Sequence, residues 1–307
     1  MWSILLSSNT QWVLASTIIL GIAAGLVGSI AYWKKQSLMS DALAHASLPG
    51  VVISFLLIGE KNLLILILGA AGSALAGSLF IQWVQSSTRI TEDTAMGMVL
   101  SIFYGLGIML LTIANRTAGG NQSGLDSFIF GQAASMVRFD VFTMLGLACL
   151  VILVVCLGFK EWKLYLFDAS FAKGTGLSLT FMNILYTAVL VTTIVIGIQA
   201  VGVILIAALL IIPAVSARYW THSFRWMLVL AAVFGGASGG IGTFISALGS
   251  GWPTGPFIVV TAASFFTISL IFGKERGILV RYIQYKLHQK EVHVRKVNTH
   301  PEAKGAK

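Results

Sequence analysis

The stretch Ser37–Ile58, SLMSDALAHASLPGVVISFLLI, decides how this chain is read. It is apolar and long enough to cross a bilayer, for which about 20 residues suffice. Yet it carries a carboxylate and an imidazole four positions apart, Asp41 and His45. A charge in hydrocarbon costs at least ~2.5–3.5 kcal/mol on insertion scales, so such a residue usually has a task. Positions i and i+4 share one helix face. Together they offer an oxygen and a nitrogen ligand to a divalent metal.

Outward from this stretch the same apolar character recurs. The 307 residues are 57% hydrophobic and 10% charged, with mean hydropathy +0.88. That excludes an ordinary soluble domain. The alternating segments of about 10 residues that a β-barrel needs are absent. The composition therefore predicts an all-α, polytopic helical membrane protein. Nine spans are expected, at Trp12–Trp33, Ser37–Ile58, Leu63–Val84, Ala95–Ile113, Val141–Phe159, Leu177–Ile196, Ala200–Ala217, Trp226–Leu248 and Pro256–Phe272. Only Gly197–Gln199 separates the sixth from the seventh, so one of them is open to being re-entrant or broken, leaving eight. The 32 glycines, with many Ala, Ser and Thr, predict closely packed membrane helices.

Asp41 is the only acidic residue within these spans, and His45 the only histidine. The span Ser37–Ile58 has its midpoint near Ser47 and Leu48. At ~1.5 Å per residue His45 lies about 4 Å from that level and Asp41 about 10 Å. Transport sites often lie near the midplane. Pro49 lacks the amide that would bond the His45 carbonyl, which is left free; in a membrane such a carbonyl must find a partner or line a cavity. Gly50 then removes side-chain bulk. Pro49 and Gly50 thus read as a helix break beside a pore. The O/N donor set suits Mn²⁺, Fe²⁺ or Zn²⁺ better than Cu⁺, and it is incomplete without a second copy, other helices or water. Two other readings of the pair stand open, a structural hydrogen-bonding pair and a proton relay.

The net charge of +9 is spread over short loops and the C-terminal tail, a membrane-protein pattern and not a nucleic-acid footprint. With Lys34-Lys35, Arg89, Lys160–Lys173, Arg218–Arg225 and the tail on the cytoplasmic side, 17 of the 20 Lys and Arg residues lie there. Only Lys61, Arg116 and Arg138 lie opposite. The N-terminus is therefore expected outside and the C-terminus in the cytoplasm. The start MWSILLSSNTQ lacks a basic region, so no cleavable signal peptide is expected. Cys149 and Cys156 fall in one span, about 10 Å apart along a helix and too far to bridge; they read as packing residues.

Several segments invite roles of their own. The outer loop Ala114–Phe139 includes Leu125–Met136, which suits a short surface helix. The loop Lys160–Gly176 mixes charge with Trp162, Tyr165, Phe167 and Phe171, a pattern for docking a cytoplasmic partner or for an interfacial belt. Residues 1–273 form the membrane domain and 274–307 a basic cytoplasmic tail, whose first part suits an amphipathic helix on anionic membrane lipid. His288, His293 and His300 in that tail do not share a helical face. Asp93 or Thr94 is expected to cap the fourth span, Met96 and Met98 to pack, and Pro213 to kink its span by freeing the Leu209 carbonyl. Asp126 and Asp140 are outer carboxylates, suited to attracting cations, to docking a protein, or simply to solvation. No Walker A loop, His-Glu-x-x-His or GxSxG motif is present, so the chain is not expected to be an enzyme.

SDALAHASLPGV resembles the signature of the membrane-spanning subunits of bacterial ATP-binding-cassette importers for manganese, zinc and iron. TEDTAMGMVLSIFYGLGIML, FDASFAKGTGLS and VGVILIAALLIIPAVSARYW resemble that family's fourth span, cytoplasmic coupling segment and late proline-containing span. The resemblance covers most of residues 10–275. It implies a multi-pass protein of the bacterial plasma membrane, with Asp41 and His45 on the metal path. It implies that Phe167, Asp168, Ala169 and the residues to Gly176, Lys173 among them, meet a separate ATPase subunit. Ala169-Ser170 departs from the Pro-Glu frequent in relatives. Leu48-Pro49-Gly50 and NQSGLDSFIFGQAASM resemble the manganese/iron branch, so Mn²⁺ is favoured as cargo over Fe²⁺ and Zn²⁺, with no permanently bound cofactor. The implied partners are cytoplasmic ATPase subunits, an extracytoplasmic metal-binding protein, and a second permease copy or a homologous permease. A proton-coupled secondary metal transporter is the rival reading, a membrane scaffold the third.

Overall fold

The computed structural model describes residues 8–59, 62–117, 131, 138–249, 252–282, 284 and 286. The described residues are helical with no strand. The helices are α1 (Ser8–Trp33), α2 (Ser37–Ile58), α3 (Leu63–Ser87), α4 (Glu92–Thr117), α5 (Arg138–Leu157), α6 (Phe159–Phe167), α7 (Ala169–Gly174), α8 (Leu179–Val201), α9 (Val203–Arg218), α10 (Phe224–Leu248) and α11 (Thr254–Phe272). Eight are long and apolar enough to cross a membrane: α1 to α5, α8, α10 and α11. The protein is a multi-pass membrane protein.

The sixth and seventh expected spans need correction. Residues 197–199 do not interrupt the chain; α8 runs through them to Val201, and the break falls at Gly202. There φ is 95° and ψ 160°, a conformation open to glycine and closed to most side chains. The helix that follows, α9, has only 16 residues, about 24 Å against a hydrocarbon core of about 30 Å. It nevertheless returns across the bundle. Arg218 at its end lies 5.0 Å over the Trp33 ring at the end of α1, and the neighbouring Lys34 bonds Asn183 near the start of α8. A short helix is tolerated because protein, not lipid, surrounds much of it: Val203, Ile206, Leu209, Leu210, Pro213 and Ala214 are buried.

The same tracing puts the basic segments at one end of the bundle. Trp33 meets Phe167 of α6, Phe159 and Phe167 meet Phe224, Gln36 meets Glu92, and Glu275 donates its amide to the Tyr219 carbonyl. At the other end Trp12 meets Phe142, and Ser246 lies beside Thr254.

The core is a backbone-to-backbone crossing of α1 with α10. A Cβ placed on Gly21 would fall inside the Gly235 carbonyl, and one on Gly235 inside the Gly21 carbonyl. Gly25 lies likewise on Ala231, and Gly239 on Thr17. Thr243 closes the row by donating to Thr17 Oγ1 at 2.9 Å. Small residues give close approach here, as the glycine content predicts.

Four smaller expectations change. Cys149 and Cys156 are exposed on the outer face of α5 and do not pack inward. Met96 is buried, but Met98 is exposed. The residue preceding α4 is Thr91, whose carbonyl accepts from Ala95 and whose hydroxyl meets Thr94; Glu92 and Asp93 occupy the first turn, where the helix dipole favours acids. Segment 160–176 is not a loop but α6 and α7. The Leu125–Met136 segment apart from Gly131, Asp126, and the tail histidines His288, His293 and His300 lie outside the described residues. The tail begins helically over residues 278–282.

Candidate functional site

α2 brings Asp41 and His45 together on one face. His45 Nε2 lies 3.5 Å from Asp41 Oδ1, and the two side chains are 14% and 36% exposed. This is ion-pair distance and long for a hydrogen bond, so the carboxylate keeps acceptor capacity for another ligand. His45 Nδ1 is buried with no hydrogen-bond partner among the described residues. The Tyr104 ring of α4 stands edge-on to the imidazole, centroids 4.9 Å apart. Among the described residues no third His, Cys, Asp or Glu joins the pair.

Pro49 and Gly50 sit one turn further on, both buried. The helix does not break there: α2 continues to Ile58. Proline removes one amide donor, and the neighbouring turn is braced from α3, where Ser73 donates to the Ala46 carbonyl at 2.6 Å. Gly50 serves the helix crossing, since a Cβ on it would fall inside the Gly69 carbonyl of α3. On the other side Leu48 fills the space left by Gly107 of α4. α2, which carries the pair, thus packs between α3 and α4, and Tyr104 of α4 stands against His45.

The residues expected to couple, Phe167, Asp168, Ala169 and Lys173, form a separate surface at the basic end. Asp168 caps α7, its Oδ1 accepting from the Phe171 amide at 2.9 Å and the Ser170 hydroxyl at 3.2 Å. Ala169, Phe171 and Lys173 are exposed. Phe167 is half in, its ring 4.7 Å from Trp33 and 5.7 Å from Phe224. The four aromatics of this segment do not act alike. Trp162 is buried, and Tyr165 donates to Asn183 Oδ1 at 3.2 Å. Only Phe171 and one side of Phe167 are available to a partner.

Sequence reasoning missed two sets of residues. One is Tyr104, whose signal was a lone tyrosine in an apolar span. The other is a polar knot of Lys34, Gln36, Glu92, Tyr165, Asn183 and Tyr186. Lys34 Nζ donates to Asn183 Oδ1 at 2.5 Å and lies 4.1 Å over the Tyr186 ring. Burial lowers its pKa to about 8, with the Glu92 carboxylate pulling it back up. Burial, helped by Glu92, raises that of Tyr165.

The model of the ABC 3 transport family matches residues 7–273. The manganese transport system membrane protein MntC of Bacillus subtilis is 45% identical over 92% of this chain; the chain spans 65% of that protein's length. The zinc transport system membrane protein TroC of Treponema pallidum is 44% identical over 88% of this chain and 90% of its own. Among solved structures, PsaBC from Streptococcus pneumoniae in complex with Fab superposes with a TM-score of 0.79 at 32% identity, covering 92% of this chain and 97% of that one. By sequence and by fold, the chain belongs to the ABC 3 transport family.

Proposed function

We propose that this chain is the permease subunit of an ATP-driven importer of divalent transition metal, with Mn²⁺ as its favoured cargo. The observation that carries this reading is the Asp41–His45 pair, an oxygen and a nitrogen donor held 3.5 Å apart within a membrane-spanning helix. The metals named for the relatives, manganese and zinc, are both first-row divalent ions for such a donor set.

Two side chains fall short of the roughly six ligands of an octahedral Mn²⁺. A second permease copy supplies the rest. The face of α4 next to the pair suits it: Gly97, Ser101 and Gly105 repeat every fourth residue, and a Cβ on either glycine would meet nothing within 4 Å. Small residues at that spacing let membrane helices approach closely. Zn²⁺ binds more tightly by the Irving–Williams order, so selectivity for Mn²⁺ rests on geometry, release rate or the delivering protein.

The basic end faces the cytoplasm, by the positive-inside rule. There Asp168, Ala169, Phe171 and Lys173 meet the ATPase that hydrolyses ATP, and the tail 274–307 follows residues 1–273 onto anionic lipid. An extracytoplasmic protein delivers metal to the opposite end. The test is uptake of radiolabelled Mn²⁺ and Zn²⁺ by the reconstituted complex. Fast Mn²⁺ and slow Zn²⁺ turnover is expected. Fast Zn²⁺ transport with negligible Mn²⁺ transport assigns the cargo to zinc; no ATP-dependent uptake of either ion overturns the reading.

A further inference from the structure

The turn from α1 to α2 contacts α6 and α8 on one side and the head of α4 on the other, and leads directly into α2. Lys34 turns inward from the end of α1. Its ammonium donates to Asn183 Oδ1 of α8 at 2.5 Å and lies 4.1 Å over Tyr186 of α8 and 5.6 Å from the ring of Tyr165 of α6. Tyr165 donates to the same Asn183 oxygen. Two residues on, Gln36 donates its amide to Glu92 at the head of α4.

An apolar filling would hold this end of the bundle at a lower desolvation cost. The polar one adds direction. On one side it grips α6, which leads straight to Asp168 and α7. On the other, Gln36 immediately precedes α2, about 7–8 Å of helix rise from Asp41. Glu92 heads the helix that presses Tyr104 against His45. The helix that carries the pair and the helix that sets Tyr104 against His45 both start at the knot. One carbonyl oxygen shared by an ammonium and a phenol is also suited to two discrete arrangements, because either donor can let go while the other stays.

We propose that Lys34 is a positioning residue for transport: its ammonium keys α6 and α8 to the α1–α2 turn, so that a displacement of α6 reaches the starts of α2 and α4 and changes access to Asp41 and His45. This rests on the importer reading above.

The test uses the complete transporter in vesicles, with ATP hydrolysis and radiolabelled Mn²⁺ uptake measured on the same preparation. Lys34→Met is expected to lower uptake about tenfold while hydrolysis stays within about twofold of wild type, an uncoupling that general destabilisation does not produce. Lys34→Arg keeps the cation over Tyr186 and restores uptake to within about threefold. Tyr165→Phe deletes one hydroxyl and, even where Lys34→Met fails to assemble, lowers the ratio of uptake to hydrolysis. Unchanged ratios in a transporting wild type and all assembled variants overturn the joint alone. A wild type that moves no metal overturns the importer reading and the joint with it.

Discussion

His45 stands edge-on to Tyr104, ring centroids 4.9 Å apart and planes at 78°. The imidazole thus takes one wall from a different helix. An edge-to-face contact is worth about 0.5–1.5 kcal/mol. Tyr104→Phe keeps the ring and should transport like wild type. Tyr104→Ala releases the imidazole and should lower Mn²⁺ uptake about three- to tenfold. Equal uptake by the two variants removes α4 from the site.

The pair itself gives the sharpest test. Asp41→Ala or His45→Ala should abolish uptake while the protein still inserts and assembles, because half the donor set of this chain is gone. Uptake and metal content of the purified complex report it. Normal uptake by both variants returns the pair to a structural role.

Much of the fold was legible in the sequence. The stretch Ser37–Ile58 is a helix with those bounds, because its polar flanks and apolar length leave little choice. The family resemblance, drawn over residues 10–275, matches a family model over 7–273. Other features were not legible. The α8–α9 break was sought at Gly197–Gln199, where the one polar residue lies; it occurs at Gly202, where an irregular backbone needs glycine and no polar residue marks the place. Pro49 and Gly50 read as a break, but a proline lacks only one donor, and the Gly69 crossing holds the helix through it. The polar knot joins residues from position 34 to position 186, and no local pattern links them.

The α1–α10 crossing predicts an asymmetry among glycines. Gly235→Val drives a side chain into the Gly21 carbonyl and should cost several times the ~1–3 kcal/mol of ordinary overpacking, since backbone cannot yield as a side chain does. Gly72 meets nothing within 4 Å, so Gly72→Ala should leave stability unchanged or higher. Thermal melting of detergent-purified protein, followed by size-exclusion, separates the two. Equal melting points contradict the close crossing.

Lys34 carries a pH signature. Its pKa is lowered from 10.5 to about 8 by burial, against the raising effect of Glu92. Between those values the unfolded chain holds a proton that the folded chain has released, so this group makes stability rise with pH across that window. Transport should do the opposite. The groups facing the ammonium are Glu92 from α4, Tyr165 from α6, and Asn183 and Tyr186 from α8. As the pH on the basic side passes about 8, the charge over Tyr186 is lost and uptake should fall. Lys34→Arg should flatten that fall, and a profile identical in both proteins refutes the assignment.

The helix α7 offers a direct contact test. With Cys149 and Cys156 replaced by serine, a cysteine at exposed Ala169 should crosslink to the ATPase within the assembled transporter. Reaction of that cysteine with an impermeant reagent outside intact cells contradicts both the role and the orientation.

The row Gly21, Gly25, Gly235 and Gly239 also sets a timetable for the chain's birth. Helix α1 leaves the ribosome well before α10, and the surface that fills its groove arrives more than 200 residues later. At about 5–20 residues per second that wait lasts roughly 10–40 s. Through it α1 sits in the bilayer with its narrowest face uncovered, so a helix made early waits for one made late to complete its packing.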